Sequence, residues 1–213
     1  MAKVLIIGAS RGIGLEAVKQ ALSRGYDVRA MARSADQITV DDAHLEKFAG
    51  DALNPDDVIT ALDYVDVVIQ ALGIAAGPNM VLKPVRLFSQ STEILVNAME
   101  NAGVKRLISV TGFGAGDSYA RIGCLQRVPF RLLLGRAYDD KDVQERLIRR
   151  SNLDWTVARP VILTNGPRTG RYRVLAEPKQ WRNGLISRAD VADFLVGQID
   201  SDDYIGKTPV LTC

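Results

Sequence analysis

The sequence predicts an α/β fold in which one doubly wound parallel sheet carries helices on both faces. Short apolar runs rich in β-branched residues, typical of strands buried on both faces, alternate along the chain with segments of helical apolar spacing. The first run, Val4 to Ile7, leads through a glycine-rich turn into such a helical segment. This alternation favours parallel strands joined by helices. No linker, repeat or low-complexity segment interrupts the 213 residues, so a single domain, 1–213, is expected.

The turn after the first strand carries three glycines, Gly8, Gly12 and Gly14, in the spacing G-x-x-x-G-x-G, and the helical segment 15–22 follows. Glycines there allow a tight turn and let the backbone approach a pyrophosphate, while the helix N-terminus offers N–H groups to the anion. The order of strand, glycine turn and helix predicts a dinucleotide site of the Rossmann type. An ordinary glycine-rich turn is the alternative. The residues expected to hold the phosphates are Gly8, Ser10, Arg11, Gly12 and Ile13.

Composition and charge argue against several classes of protein. The net charge is +2 with acidic and basic residues interspersed, which indicates neither a nucleic-acid-binding nor a membrane-binding surface. Cys124 and Cys213 form no metal or disulfide pattern, so no metal site and a cytoplasmic location are predicted. His44 is the only histidine, which argues against a histidine metal cluster and a Ser-His-Asp triad. The apolar N-terminus is too short for a signal peptide, and no segment reaches the length of a membrane span.

The second predicted strand, Asp27 to Met31, is followed by Arg33. In an NAD-binding site an acidic residue near this position binds the ribose 2′-hydroxyl. Arg33, together with Arg11 in the glycine turn, instead suits a 2′-phosphate. NADP is therefore the predicted cofactor, and the alternative is that both arginines are solvated surface charges.

The third predicted strand, Leu45 to Gly50, leads into Asp51 and Ala52, which this architecture places beside the adenine. The Asp51 carboxylate is suited to accept a hydrogen bond from the exocyclic amine. Alternatively, Asp51 or Asn54 only begins the next helix, which is predicted over Pro55 to Leu62. Both interpretations are compatible.

The fourth predicted strand, Asp66 to Ala71, ends in small residues that allow a cofactor ribose to pass close to the backbone. The residues expected to line the ribose are Ala71, Leu72 and Gly73. The segment 74–87 is predicted as a loop over the mouth of the site. A long amphipathic helix is predicted over Phe88 to Ala102, with Gly103 as its C-terminal glycine.

The fifth predicted strand, Arg106 to Thr111, precedes a segment without clear periodicity, 113–137. Long irregular segments in compact domains are usually functional, so it is interpreted as a wall or lid on the substrate side. A short packed helix without a substrate contact is the alternative. The next helix is predicted to begin at Asp139 or Asp140 as its N-cap and to end near Ser151.

The C-terminal part contains a sixth predicted strand, Asp154 to Ala158, which enters Arg159 and Pro160. The polar, glycine- and proline-containing segment 165–187 is predicted as a surface excursion, and 164–187 as a further substrate-side element. A last helix over 188–198 and an edge strand over 209–212 complete the prediction.

Several motifs distributed over nearly the whole chain resemble the short-chain dehydrogenase/reductase superfamily. They resemble in particular its atypical branch, which holds biliverdin-IXβ reductase/flavin reductase and the NmrA-like proteins. The glycine spacing is the exception, since it is that of the standard members and not G-x-x-G-x-x-G. The motifs are GASRGIG (8–14), GDALNPDDV (50–58), NLDWTVARPVIL (152–163), LTNGPRTGRYRV (163–174) and ISRADVADFLV (186–196).

The catalytic motif of the superfamily, Tyr-x-x-x-Lys with a serine after the fifth strand, is altered in this chain. Lys141 lies where the resemblance places the lysine, but Ala137 precedes it by four residues, and Tyr138 is displaced by one position. Thr111 offers a hydroxyl at the position of the serine, whereas Gly112 offers none. The resemblance thus leaves Thr111, Tyr138 and Lys141 as catalytic candidates and disfavours the usual Ser-Tyr-Lys mechanism.

The resemblance implies an NADPH-dependent reductase whose acceptor is flavin-like or another planar conjugated molecule. Such an acceptor takes a hydride readily and draws its proton from solvent, so the protein mainly stacks it on the nicotinamide. Pro160 is expected to pack under the nicotinamide. The only expected partner is a small-molecule electron acceptor. The alternatives are a non-catalytic NADP-binding redox sensor of the NmrA type and a sugar-nucleotide or ketone enzyme of the extended branch.

Overall fold

The computed structural model describes residues 2–74, 85–121 and 124–213, with the backbone alone for residues 121 and 124–133. The greater part of the predicted loop 74–87 therefore lies outside the described residues. The strands are β1 (Lys3–Ile7), β2 (Asp27–Ala32), β3 (Leu45–Ala49), β4 (Val67–Gln70), β5 (Arg106–Val110), β6 (Asp154–Pro160), β7 (Ile162–Thr164), β8 (Arg173–Leu175), β9 (Leu185–Ser187) and β10 (Val210–Thr212). The α-helices are α1 (Gly12–Ser23), α2 (Pro55–Ala61), α3 (Leu87–Ala102), α4 (Cys124–Arg150) and α5 (Arg188–Gly197).

The main sheet of the described chain has eight strands in the order β3-β2-β1-β4-β5-β6-β10-β8. All neighbouring strands are parallel except β8, which runs antiparallel to β10. β7 and β9 form a separate parallel pair. The predicted class, a doubly wound α/β sheet, is confirmed. None of the described helices combines the length and the apolar character that crossing a bilayer requires.

Two hydrophobic cores lie on opposite faces of the sheet because alternate strand residues point to opposite faces. In β1, Val4 and Ile6 belong to the core under α1 and α5, whereas Leu5 and Ile7 belong to the core under α2, α3 and the C-terminal part of α4. All four side chains are almost completely buried. This two-sided burial explains why the strand has no polar alternation in its sequence.

The strand order reverses beside β1, whose last residue, Ile7, faces Met31 of β2 on one side and Gln70 of β4 on the other. The chain fills the sheet outward to β3 before it crosses back to β4. Since helices diverge from both sides of this point, a crevice opens beyond the carboxyl ends of the strands.

The prediction for 113–137 was wrong in part, and so was the N-cap predicted at Asp139 or Asp140. The helix α4 begins at Cys124 and continues through both residues to Arg150. Ala137, Asp140 and Ile148 are buried on one side of it, and this side packs against α3 and the sheet. Packing of this side outweighs the weak helix propensity of Gly135, which costs only about 1 kcal/mol. Asp140 does cap a helix, but that helix is α3, since its carboxylate accepts from the backbone N–H of Phe88 at 2.8 Å.

Two predictions for the C-terminal part also need correction. The segment 165–187 is not only a surface excursion, because it contributes β8 to the main sheet and β9 to the small one. The strand predicted at the edge, β10, lies between β6 and β8, so β8 forms the edge. Leu175 and Trp181 anchor this segment, since both are buried and the Trp181 indole N–H donates to the Leu175 carbonyl at 3.0 Å.

Candidate functional site

A cleft of about 940 Å³ lies at the carboxyl ends of β1, β2, β4, β5 and β6. It is lined by the glycine turn on one side and by α4 on the other. Every site residue predicted from the sequence lines it, although these residues come from well-separated parts of the chain. They are Gly8, Ser10, Arg11, Gly12, Ile13, Arg33, Asp51, Ala52, Ala71, Leu72, Gly73, Thr111, Tyr138, Lys141 and Pro160.

The glycine turn is shaped by close backbone contacts. Gly8 has a φ of +88°, and a Cβ there would lie 2.7 Å from the carbonyl oxygen of Ala71, the residue that follows β4. A Cβ on Gly14 would lie 2.2 Å from the carbonyl oxygen of Gly8. Gly12 differs, because a Cβ there would meet only the Arg188 side chain, at 3.9 Å. Gly8 and Gly14 thus allow the turn to form, and Gly12 keeps the cleft open over the first turn of α1.

Replacing Gly14 with alanine is expected to destabilise the fold by about 2–3 kcal/mol, because overpacking against backbone outweighs the roughly 1 kcal/mol gained in helix propensity. The expected fall in Tm is about 5–10 °C for a chain of this size. Gly197→Ala in α5 is the matched control, since its Cβ would meet only the Arg24 side chain at an ordinary 3.7 Å. Thermal unfolding followed by circular dichroism measures both. Equal Tm values for the two variants would contradict the steric explanation.

At one end of the cleft two arginines carry unopposed charge. Arg11 and Arg33 are exposed, and within the described part of the chain neither forms an ion pair with a carboxylate. Asp51 lies nearby, where its Oδ1 accepts from the Leu53 N–H at 3.0 Å. Asn54, rather than Asp51, caps α2 by accepting from the N–H of Asp56 at 3.1 Å. The Asp51 side chain therefore orders the turn after β3 and still borders the cleft.

At the other end of the cleft Lys141 is held close to the end of β5. Its ammonium donates to the Thr111 carbonyl at 2.5 Å and lies 5.2 Å from the centre of the Tyr138 ring and 5.1 Å from that of Phe88. Burial lowers the pKa of Lys141 to about 8, although the negative charge of Glu145 opposes the shift. Burial also raises the pKa of Tyr138 to about 12. Near neutral pH the site therefore presents a protonated phenol beside an ammonium.

The displaced tyrosine reaches the end of β5 because residue 112 is a glycine. A Cβ on Gly112 would lie only 2.6 Å from the Tyr138 hydroxyl oxygen. The phenol hydroxyl thus occupies space that a serine side chain at position 112 would need. The Thr111 hydroxyl is committed elsewhere, since it donates a hydrogen bond to the Glu145 carboxylate at 2.8 Å. Of the two hydroxyls considered from the sequence, that of Thr111 is bonded to Glu145, and that of Tyr138 lies at the end of β5, beside Gly112.

A family model described as NAD(P)H-binding matches residues 8–202. The chain belongs to this NAD(P)H-binding family. The match begins at Gly8 of the glycine turn and extends through α5, so it includes all the cleft-lining residues except Ile7 at the end of β1. The residues present fit a dinucleotide, because the cleft is large, Gly12 leaves its floor open, and unopposed arginines line it.

Curated relatives of this NAD(P)H-binding chain have diverse names. It is 24% identical to the photosystem II assembly factor Ycf39 of Synechocystis, over 97% of this chain and 61% of that protein. It is 27% identical to the uncharacterized sugar epimerase YhfK of Bacillus subtilis, over 99% of this chain and 94% of that one. The chain thus spans about three fifths of the cyanobacterial protein's length.

Solved structures show the same fold. ChuY of Escherichia coli O157:H7, described as an anaerobillin reductase, superposes with a TM-score of 0.80 at 25% identity, over 99% of this chain and 97% of ChuY. A short-chain dehydrogenase/reductase of Veillonella parvula, in complex with NADP, has a TM-score of 0.83 at 17% identity, over 100% and 94% of the two chains. These likenesses confirm the Rossmann fold, and with the family match they are consistent with the predicted resemblance to the atypical short-chain dehydrogenase/reductase group.

The sequence interpretation missed a charged residue that lines the cleft, Arg188, and a buried pair that lies behind the cleft. Glu145 and Arg159 form a buried ion pair behind Thr111, with Nη2 and Oε2 2.5 Å apart. Glu145 lies one helical turn after Lys141, and this spacing is a signal that the sequence does contain. Arg188 borders the glycine turn, but its position at the start of a distant helix carried no such signal.

Among the described side chains, no arginine of the two predicted substrate-side segments 113–137 and 164–187 lines the cleft. Arg168 pairs with Asp193 at 3.0 Å and does not line the cleft. The side chains of Arg121, Arg127 and Arg131 lie outside the described residues. Leu134 and Ala137 are the residues of α4 that line the cleft from the segment 113–137.

Proposed function

We propose that this protein is an NADPH-dependent reductase of a planar conjugated acceptor, such as a flavin or an open-chain tetrapyrrole. The observation that carries the proposal is that the two ends of one continuous cleft carry different groups. Unopposed arginines lie at the glycine-turn end, and a half-buried Tyr138–Lys141 pair lies at the opposite end, beside β5. The fold likeness to a bacterial reductase of known name supports the choice of reaction.

The roles of the cofactor-binding residues follow from their positions in the cleft. In this proposal the first turn of α1 binds the pyrophosphate, and Arg11 and Arg33 bind the 2′-phosphate. Asp51 and Ala52 flank the adenine, and the residues after β4 pass under the ribose. At the far end, the proposal assigns Lys141 to a hydrogen bond with the nicotinamide ribose and Pro160 to packing under the nicotinamide.

Bound NADPH supplies a hydride, and a proton completes the two-electron reduction, so that the products are NADP⁺ and the dihydro form of the acceptor. The protein has to hold the acceptor flat against the nicotinamide and exclude water from that face. Phe88 and Leu134 provide apolar surface at this end of the cleft. Solvent delivers the proton, because the charge left on an extended conjugated acceptor is delocalised.

The Tyr138→Phe variant separates solvent from the phenol as proton source. We expect its turnover with a flavin to remain within about tenfold of the wild type, since a required general acid contributes about 10²–10⁴. Tyr64→Phe is the matched control, because Tyr64 is 93% exposed and remote from the cleft. Steady-state turnover at saturating NADPH is the measurement. A loss beyond a hundredfold in Tyr138→Phe alone would assign the proton to the phenol.

The test of the function is NADPH oxidation, followed at 340 nm, with FMN, riboflavin and biliverdin as acceptors and NADH as the control cofactor. The proposal expects turnover with at least one acceptor and a preference for NADPH over NADH. Tight NADPH binding without reduction of any of the three would overturn the reductase and favour the alternative, an NADP-binding sensor of the NmrA type.

A further inference from the structure

Arg188 brings a third cation to the cleft from a part of the chain remote from Arg11 and Arg33. It is the first residue of α5, and its Nη1 donates to the carbonyl of Thr164 at 3.1 Å and to Oδ1 of Asn165 at 2.6 Å. The Cδ and Nε atoms of its side chain are the atoms that a Cβ on Gly12 would meet, at 3.9 Å. The guanidinium therefore lies directly across from the first turn of α1.

Hydrogen bonds at the start of α5 fix the position of Arg188. Ser187 caps α5 by accepting from the N–H of Asp190 at 2.9 Å. The Asp190 carboxylate accepts from the backbone N–H groups of Thr169 at 2.7 Å and Gly170 at 2.9 Å. These contacts tie the chain after β7 to the first turn of α5. They hold the two acceptors of Arg188 and its own backbone in one unit, so little side-chain entropy remains to be lost on binding.

The charge of Arg188 is left unused by the protein. Its two partners are neutral oxygens, and no carboxylate pairs with it among the residues that the structure describes. Within the same residues Nε and Nη2 have no hydrogen-bond partner. An oriented guanidinium with free donors, opposite a helix N-terminus, matches an anion that two sides of the cleft approach at once.

We propose that Arg188 binds the pyrophosphate of the cofactor and closes the cleft over it from the side opposite the glycine turn. The inference rests on the proposed function only in placing a dinucleotide in this cleft. The pyrophosphate is the group that lies at the first turn of α1 in this fold, and Arg188 is the cation whose side chain borders that turn at Gly12. Since NADH and NADPH share the pyrophosphate, Arg188 acts on both, unlike Arg11 and Arg33.

The experiment compares dissociation constants of the wild type and Arg188→Gln, by fluorescence titration without an acceptor. NADPH, NADH, ADP-ribose and 2′-AMP are the ligands, and only 2′-AMP lacks a pyrophosphate. We expect Arg188→Gln to raise the Kd of the first three by a similar factor of about 10- to 100-fold, as for a lost charge-assisted contact. The Kd of 2′-AMP should change by less than about twofold. Arg182→Gln is the control, since Arg182 is exposed and outside the cleft.

A second variant guards against a fold defect. Asn165→Ala keeps the Arg188 charge but removes one of its orienting acceptors, and a smaller loss for the same three ligands is expected. Unchanged affinity for NADPH and NADH in Arg188→Gln, a loss confined to NADPH, or an equal loss for 2′-AMP would each overturn the proposal. Failure of the proposed function would be recorded separately, as absence of acceptor reduction by a wild type that still binds NADPH.

Discussion

Replacing Arg11 and Arg33 together with alanine is expected to raise the Kd of NADPH by about 100-fold or more, while the Kd of NADH changes by less than about threefold. Each guanidinium that binds a phosphate contributes about 1.5–3 kcal/mol, and 1.4 kcal/mol corresponds to a factor of ten. Both side chains line the cleft and neither is committed to a carboxylate in the described part of the chain. Their removal therefore costs the fold little, and the effect falls on the 2′-phosphate, which NADH lacks.

The measurement is a fluorescence titration of each cofactor against the double variant and the two single variants. The single variants apportion the effect between the glycine turn and the end of β2. Arg150→Ala, at the exposed end of α4, is the control for a general change in charge. A loss of equal size for NADH and NADPH would show that the two arginines serve the pyrophosphate. No loss for either cofactor would favour the alternative of solvated surface charges.

Replacing Glu145 with alanine is expected to destabilise the protein by about 3 kcal/mol, the lower end of the range for breaking a buried ion pair. Arg159 is 0% exposed, and Glu145 accepts from its Nε at 2.9 Å as well as from Nη2. Without Glu145, Asp117 is the one carboxylate left beside the guanidinium among the described residues; its Oδ1 lies 2.7 Å from Nη1, but its side chain is 56% exposed. The Trp181 ring, whose centre lies 5.0 Å from the guanidinium, also remains. The remaining pair is solvated, so it offsets only part of the cost.

Urea unfolding of Glu145→Ala measures this change, with Asp139→Ala as the control because Asp139 is exposed on the same helix. The control should stay within about 0.5 kcal/mol of the wild type. The Glu145→Gln variant adds a second measurement, the pH–activity profile, which a change in stability alone would not shift. The charge of Glu145 raises the pKa of Lys141, so its loss should shift the pKa of Lys141 below about 8 and move the alkaline limb of the pH–activity profile downward. An unshifted limb together with unchanged stability would refute the coupling.

The fold and the cofactor cleft were predictable because their signals are local. The buried run of β1, the glycine spacing and the start of α1 are adjacent in the sequence, and the carboxyl ends of parallel strands meet at one edge of a sheet. Each predicted cofactor-binding residue lies in such a turn, at the end of such a strand or directly after it. Lys141 could be placed from the resemblance, although the sequence did not show that the displaced Tyr138 still reaches the same point.

The errors arose where a boundary depended on partners distant in sequence. Asp140 has the residue type of an N-cap, and it is one, but for α3, more than fifty residues earlier in the chain. α4 continues past it because its buried side packs on α3, and no local signal reports that packing. β8 likewise forms the edge of the sheet because it pairs with β10, which is distant from it in the sequence.

By itself the sequence determined the doubly wound sheet, the glycine turn and the end of the cleft that carries the arginines, since hydrophobic periodicity and turn chemistry act within a few residues. Only the tertiary structure decided that Arg188 lies across from Gly12, that the Tyr138 hydroxyl fills the space beside Gly112, and that Glu145 pairs with Arg159. These contacts join side chains from different elements, and their distances follow from how helices pack on the sheet.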